Sequence, residues 1–305
     1  MRRTTTITAA GLLGLALLTP FTSASAAGET CRGEAATIVG SQDAALKGTE
    51  GRDVIVTAGA HSVNALGGDD LLCVTGGTET YLTGDAGNDV VDATQPGPAK
   101  LVASLGDGDD VFVGAAPTLE VWGSSFFYAD AGVDDVHVTA LPGAVVRVES
   151  GAPTQANSDR VRVDGAGNVR WQGLPTSTSV LAGGGRDNRL DADLPDGALT
   201  VDLRKGRAVA ADPGPNSALR WSGFDSFRFR AGHYGRTVSS LDLTGTAGDD
   251  RVDLDLRDDG IRVRARMGRG DDTLQSGSVG GPGSSYAGGG GRDRSEEHTS
   301  ELQSH

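Results

Sequence analysis

Between Leu46 and Phe112 a large apolar residue returns every eight to eleven positions, at Leu46, Ile55, Val63, Leu72, Tyr81, Val91, Val102 and Phe112. The intervals are rich in Gly, Asp and Thr, and no amphipathic helical spacing is evident after the first 26 residues. Such a pattern predicts short strands joined by tight turns, and a repeat of this kind decides the architecture. Two positions before each marker stand Ala44, Asp53, His61, Asp70, Glu79, Asp89, Lys100 and Asp110. Asp therefore falls on every second element. In a coil of two strands, alternate elements share a side, so one edge should be lined with Asp and the other not. Lys100 places a cation on that other edge. Parallel strands about 4.8 Å apart would stack Ile55, Leu72, Val91 and Phe112 in one internal column.

Each of these Asp residues sits in the motif Gly, any, Asp, any, apolar. It runs over Gly51–Ile55, Gly68–Leu72, Gly87–Val91 and Gly108–Phe112, and returns at Gly132–Val136, Gly248–Val252 and Gly270–Leu274. Glycine permits positive φ and close backbone approach, so such turns can aim their carbonyls at one point. The Asp adds a hard carboxylate oxygen. Together these donors suit Ca²⁺, which takes six to eight oxygens in loose geometry. One turn supplies too few, so a site needs two stacked turns. The candidate ligands are Gly48, Gly51, Asp53, Gly68, Asp70, Gly84, Asp85, Gly87, Asp89, Gly106, Gly108, Asp110 and Asp134, then Gly245, Gly248, Asp250, Gly268, Gly270 and Asp272. The pairs Asp53/Asp70, Asp70/Asp89, Asp89/Asp110 and Asp250/Asp272 would each flank a cation. The alternative is that Gly-Asp and Gly-Asn only mark hairpin turns. That accounts for the residue types but not for the alternation.

At these residues the chain resembles the glycine- and aspartate-rich nonapeptide repeats of haemolysin-type (RTX) calcium-binding proteins. The resemblance implies an all-β fold, a right-handed parallel β-roll or β-helix-like solenoid with Ca²⁺ between successive turns. The chain departs from that family in its start. Arg2-Arg3, an apolar run over Ile7–Leu18 and Ala24-Ser25-Ala26 make residues 1–26 read as a secretory signal peptide. A membrane span fits less well, because the run is short and ends at Pro20. Cys31 and Cys73 are the only cysteines; in an oxidising compartment such a pair reads as a disulfide, with two free thiols as the alternative.

Regular repeats occupy residues 27–140 and 241–293. Over 141–240 the pattern decays, traceable at Asn157-Ser158-Asp159-Arg160-Val161, Gly185-Arg186-Asp187 and Gly223-Phe224-Asp225-Ser226-Phe227. This middle reads as the same solenoid with longer loops, or else as an inserted β-domain. Strands are expected at Val145–Val148, Arg160–Val163 and Phe227–Arg230, with Arg turned away from the apolar side. Residues 294–305 resemble the in-frame translation of a sequencing adapter and interrupt a repeat at Asp293. They are expected to pack against nothing.

The net charge of −14 argues against a nucleic-acid partner and suits a chain whose carboxylates await a cation. Arg262, Arg264 and Arg266 alternate along one stretch, as the edge of an acidic-polysaccharide site or as a solvated strand face. No HExxH or GxSxG motif occurs. The sequence thus points to a secreted calcium-binding repeat protein of structural or adhesive role, not an enzyme. The rival is a polysaccharide-active β-helix enzyme, or the stalk of an enzyme whose catalytic domain lay beyond residue 293.

Overall fold

The structure, a computed structural model, describes residues 28–123, 132–212, 214, 216–278 and 280–297. The chain is a β-solenoid of about 12 turns. One wall is a single parallel sheet of 12 strands, from Ala45–Lys47 to Arg294–Glu297. The facing wall is built in two parts. First comes an 8-stranded parallel sheet from Ile38–Val39 to Val180–Gly184, then a third sheet that includes Gly197–Asp202, Val238–Thr244, Arg262–Arg269 and Ser285–Gly290.

In the short sheet Ile38, Ile55, Leu72, Val91, Phe112, Val136, Val161 and Leu181 lie in one register column. The four residues expected there are all at 0% exposure. The long-sheet column differs from expectation: Leu46 pairs with Val63, Val63 with Leu82, Leu82 with Ala103. Leu82 and Ala103 point inward, while Tyr81 is 39% exposed. The cause is where the coil grows. The step through the Asp turn stays at nine residues, from Leu46 to Ile55, Val63 to Leu72, Leu82 to Val91 and Ala103 to Phe112. The return step lengthens from eight to ten to twelve, from Ile55 to Val63, Leu72 to Leu82 and Val91 to Ala103. Only the Asp side carries a constant spacing for the eye to follow.

The middle of the chain continues the long sheet through Val145–Ser150, Gly167–Trp171, Asn188–Asp193 and Ser226–Ala231. Its core is larger and more aromatic, with Trp171 and Phe229 fully buried and Phe227 stacked on Phe229. Arg147, Arg160 and Arg162 face outward as expected. Arg230 does not. It is 7% exposed, held by Asp191 at 3.0 Å and Asp193 at 3.2 Å. Where the short sheet gives way to the third, strand Arg207–Ala210 pairs antiparallel with Gly197–Asp202, and Ala218–Arg220 pairs antiparallel with Arg207–Ala210. Ser222 bridges back to Ala182, so this hairpin closes the seam, with Leu219 and Trp221 buried beneath it.

Cys31 and Cys73 are disulfide-bonded, their Cα atoms 5.5 Å apart. The bond holds an N-terminal hairpin, Thr30–Cys31 with Glu34–Ala35, over the outer face of the short sheet, which explains why Val54, Val56 and Leu71 are buried outside the main core. At the other end Arg294–Glu297 pairs parallel with Thr273–Ser276, so this part of the tail does pack. A backbone ladder asks little of side chains, and the apolar column ends there on Ser295, opposite Leu274. Residues 1–26 and 298–305 lie outside the described residues. No helix among the described residues is long and apolar enough to cross a membrane.

Candidate functional site

The turns leading into the short sheet stack on one another so closely that glycine is obligatory at one position of each. A Cβ on Gly87 would lie 2.0 Å from the Gly68 carbonyl oxygen, and one on Gly108 2.0 Å from that of Gly87. Both have φ near +140°. At Gly84 a Cβ would meet both Asp89 Oδ2 and the Leu105 carbonyl at 2.2 Å; at Gly48 and Gly245 it would meet the carbonyls of Ala65 and Met267. Gly68, Gly106, Gly268 and Gly270 have φ between +110° and +113°. Gly51 and Gly248 have room for a side chain.

This stacking brings the Asp residues into register, and the structure gives them a use that ligand arithmetic does not foresee. The backbone N–H of Asp53 donates to Asp70 Oδ1 at 2.6 Å, Asp70 to Asp89 at 2.9 Å, and Asp89 to Asp110 at 2.7 Å. Asp110 donates to Asp134 at 3.1 Å and Asp134 to Asp159 at 3.0 Å. A buried ladder of carboxylates thus satisfies the N–H groups that begin each strand. Asp159 was not among the expected ligands. Its trace in the sequence is only the Asp-x-apolar spacing to Val161, with Asn157 in place of the glycine. An exposed ladder runs beside the first in the opposite sense: Asn88 N–H donates back to Asp69, and Asp109 N–H back to Asn88, both at 2.8 Å.

A second ladder links Asp250 to Asp272 at 2.9 Å, buried, and Asp272 to the exposed Asp293 at 3.3 Å. It opens strands of the long sheet, whereas the first opens strands of the short sheet. The Asp turns therefore occupy both edges of the solenoid, one in each half, and not one edge throughout. The change of phase falls in the decayed middle, where no marker recorded it.

The second carboxylate oxygens sort the candidates. Asp53 accepts from the Thr49 N–H with Oδ2 and from the Thr37 hydroxyl with Oδ1. Asp250 is likewise served by Thr246. Asp85 sits outside the ladder and accepts from the Thr83 hydroxyl. By contrast Oδ2 of Asp70, Asp89, Asp110 and Asp272 is buried without a hydrogen-bond partner, and these residues are only 1–2% exposed. Burial pushes the Asp70 and Asp110 carboxyls up to about 6. Burial, with the charges of Asp110 and Asp70 adding, pushes Asp89 to about 7. Asp159, Asp250 and Asp272 are also raised, chiefly by burial. On the other edge Lys100 and Glu79 pair at 2.6 Å on the long sheet.

Among the described residues no group of three or more His, Cys, Asp or Glu side chains gathers as a metal site. A cation at these turns would take one or two carboxylate oxygens and complete its shell from backbone carbonyls, which is within the habits of Ca²⁺ and outside those of Zn²⁺. Compared with known proteins, the chain matches no family model, no curated protein and no solved structure.

Proposed function

We propose that the chain is a secreted, calcium-binding solenoid of the haemolysin-type repeat kind, with a structural or adhesive role outside the cell. One observation carries the calcium reading. Asp70, Asp89, Asp110 and Asp272 each spend one oxygen on the neighbouring coil and keep the other buried and unpartnered. An ionised carboxylate in that state is costly unless a proton or a cation joins it. Calcium between coils would relieve the repulsion along the ladder and add contacts that exist only when the turns are stacked, so binding would be coupled to folding. The disulfide and the signal-like N-terminus support a destination outside the cytoplasm.

The test is thermal unfolding and calorimetric titration of the purified chain with and without millimolar Ca²⁺. A rise in Tm with heats fitting affinities on the order of 10⁻⁴ to 10⁻³ M is expected. Equal Tm in chelator and in calcium, with no binding heat, would reject calcium and leave a solenoid whose ladder carboxyls are satisfied by protons.

A further inference from the structure

The outer face of the long sheet carries two register rows along the solenoid axis, and their charges follow different rules. In one row Glu149, Arg170, Asp191, Arg228 and Asp253 follow strand by strand. The sign alternates at every step, and the row is self-neutralised, with Arg228 3.6 Å from Asp253 and Arg170 3.9 Å from Glu149. The adjacent row reads Arg147, Asn168, Arg189, Ser226, Arg251, Thr273. Here arginine stands on every second strand, and a small neutral polar residue stands between. Arg147 and Arg189 reach across to the neighbouring row, Arg147 pairing with Glu149 and Arg189 with Asp253 at 3.4 Å, and their side chains stay 48% and 42% accessible. Arg251 is exposed and makes no ion pair among the described residues.

The row lies in a trough. Three shallow, open depressions of about 440, 320 and 330 Å³ follow one another along the sheet, and Arg189 lines all three. At one end the Arg147 guanidinium lies 5.4 Å from the centre of the Trp122 ring, giving an aromatic surface beside the first arginine.

We infer that this trough binds a linear acidic polysaccharide lying along the solenoid axis, with one carboxylate per disaccharide meeting Arg147, Arg189 and Arg251 in turn. Two strand spacings are about 9.6 Å, on the order of the length of one disaccharide in an extended glycan chain. The neutral positions Asn168, Ser226 and Thr273 then face the intervening sugars with hydroxyl and amide groups. Arginine provides the planar fork that fits a carboxylate. The acids of the neighbouring row oppose any polyanion, and nucleic acid most, because it carries a phosphate about every 3.4 Å along each strand against one carboxylate per disaccharide. The inference does not depend on calcium: the arginine row lies on a sheet face, and the Asp ladders lie in the turns.

The experiment is affinity electrophoresis of the full chain through gels containing hyaluronan, which has one carboxylate per disaccharide, neutral dextran, or double-stranded DNA, all in millimolar Ca²⁺. Retardation by hyaluronan alone, weakening with salt, is expected. Arg147→Ala, Arg189→Ala and Arg251→Ala should each weaken it by about 3-fold, as exposed charge contacts do, and the triple variant far more. Ser226→Asp puts a negative charge in the middle of the row, between Arg189 and Arg251, and should abolish binding with Tm unchanged; it decides the question if the triple variant fails to fold. Arg262→Ala with Arg264→Ala, on the third sheet, should bind as the parent does. No retardation by hyaluronan at low salt overturns the inference. So does stronger retardation by DNA, or full retention of binding in Ser226→Asp.

Discussion

Gly108 and Gly51 hold the same place in the repeat and are not equivalent. A Cβ on Gly108 would be driven into the Gly87 carbonyl at 2.0 Å with φ at +141°, whereas one on Gly51 would find its nearest neighbour 4.0 Å away. Gly108→Ala should therefore cost about 2–4 kcal/mol and Gly51→Ala less than about 0.5 kcal/mol, read by chemical denaturation. The buried carboxyls make a second prediction at this scale. Asp70, Asp89 and Asp110 are raised to about 6, 7 and 6, so the folded state without metal holds protons that the unfolded state releases near pH 4. Their contribution to stability is full below about pH 4 and is lost as pH rises through 6 to 7. In chelator the protein should unfold at lower denaturant at pH 8 than at pH 5, and Asp89→Asn should flatten that slope. Calcium needs the ionised form, so its stabilising effect should grow over the same window. A chelated protein equally stable at both pH values would show that the ladder carboxyls do not titrate there.

Among the elements, the hairpin Arg207–Ala210/Ala218–Arg220 has no counterpart in the repeats and answers a need of the walls. The short sheet ends at Val180–Gly184 and the third sheet begins at Gly197–Asp202. Between them an open sheet edge and a gap in the core would face water. Ser222 pairs with the last short-sheet strand, while Leu219 at 0% exposure and Trp221 at 7% fill the gap. Leu219→Ala should thus cost about 2–5 kcal/mol, as deletion of a buried core side chain does. A loss under about 1 kcal/mol in equilibrium denaturation would mean that the hairpin rests on the solenoid without sealing it.

At the scale of the molecule, each coil pairs its strands with those of its neighbours, so stability is close to a sum of coil and interface contributions and the ends are where unravelling starts. The Cys31–Cys73 bond fastens the N-terminal hairpin to the third strand of the short sheet, and Arg32 adds a contact to Asp92 at 2.6 Å. Reduction should expose the outer face of Val54, Val56 and Leu71. Hydrogen exchange should then quicken across residues 30–75 and stay slow beyond Val111. Uniform quickening along the whole chain would show that the solenoid unfolds as one unit.

The parallel solenoid, the internal column from Ile55 to Phe112 and the disulfide were legible in the sequence. Their causes are local: a nine-residue step through a Gly and Asp turn repeats without change, and two cysteines admit one bond. What the residues could not disclose depends on the coil as a closed object. The return step has no obligatory residue, so Tyr81 reads as a core marker and only the register with Val63 and Ala103 hands that place to Leu82. The ladder that spends Asp89 Oδ1 on the Asp70 N–H joins residues 19 apart, and no spacing in the chain marks which oxygen is left over. The transfer of the Asp turns to the opposite edge, and the arginine on every second strand of the outer face, exist only once successive coils of unequal length are laid one upon another. Sequence determines what each turn is able to do; the stacking decides which turns, oxygens and arginines meet.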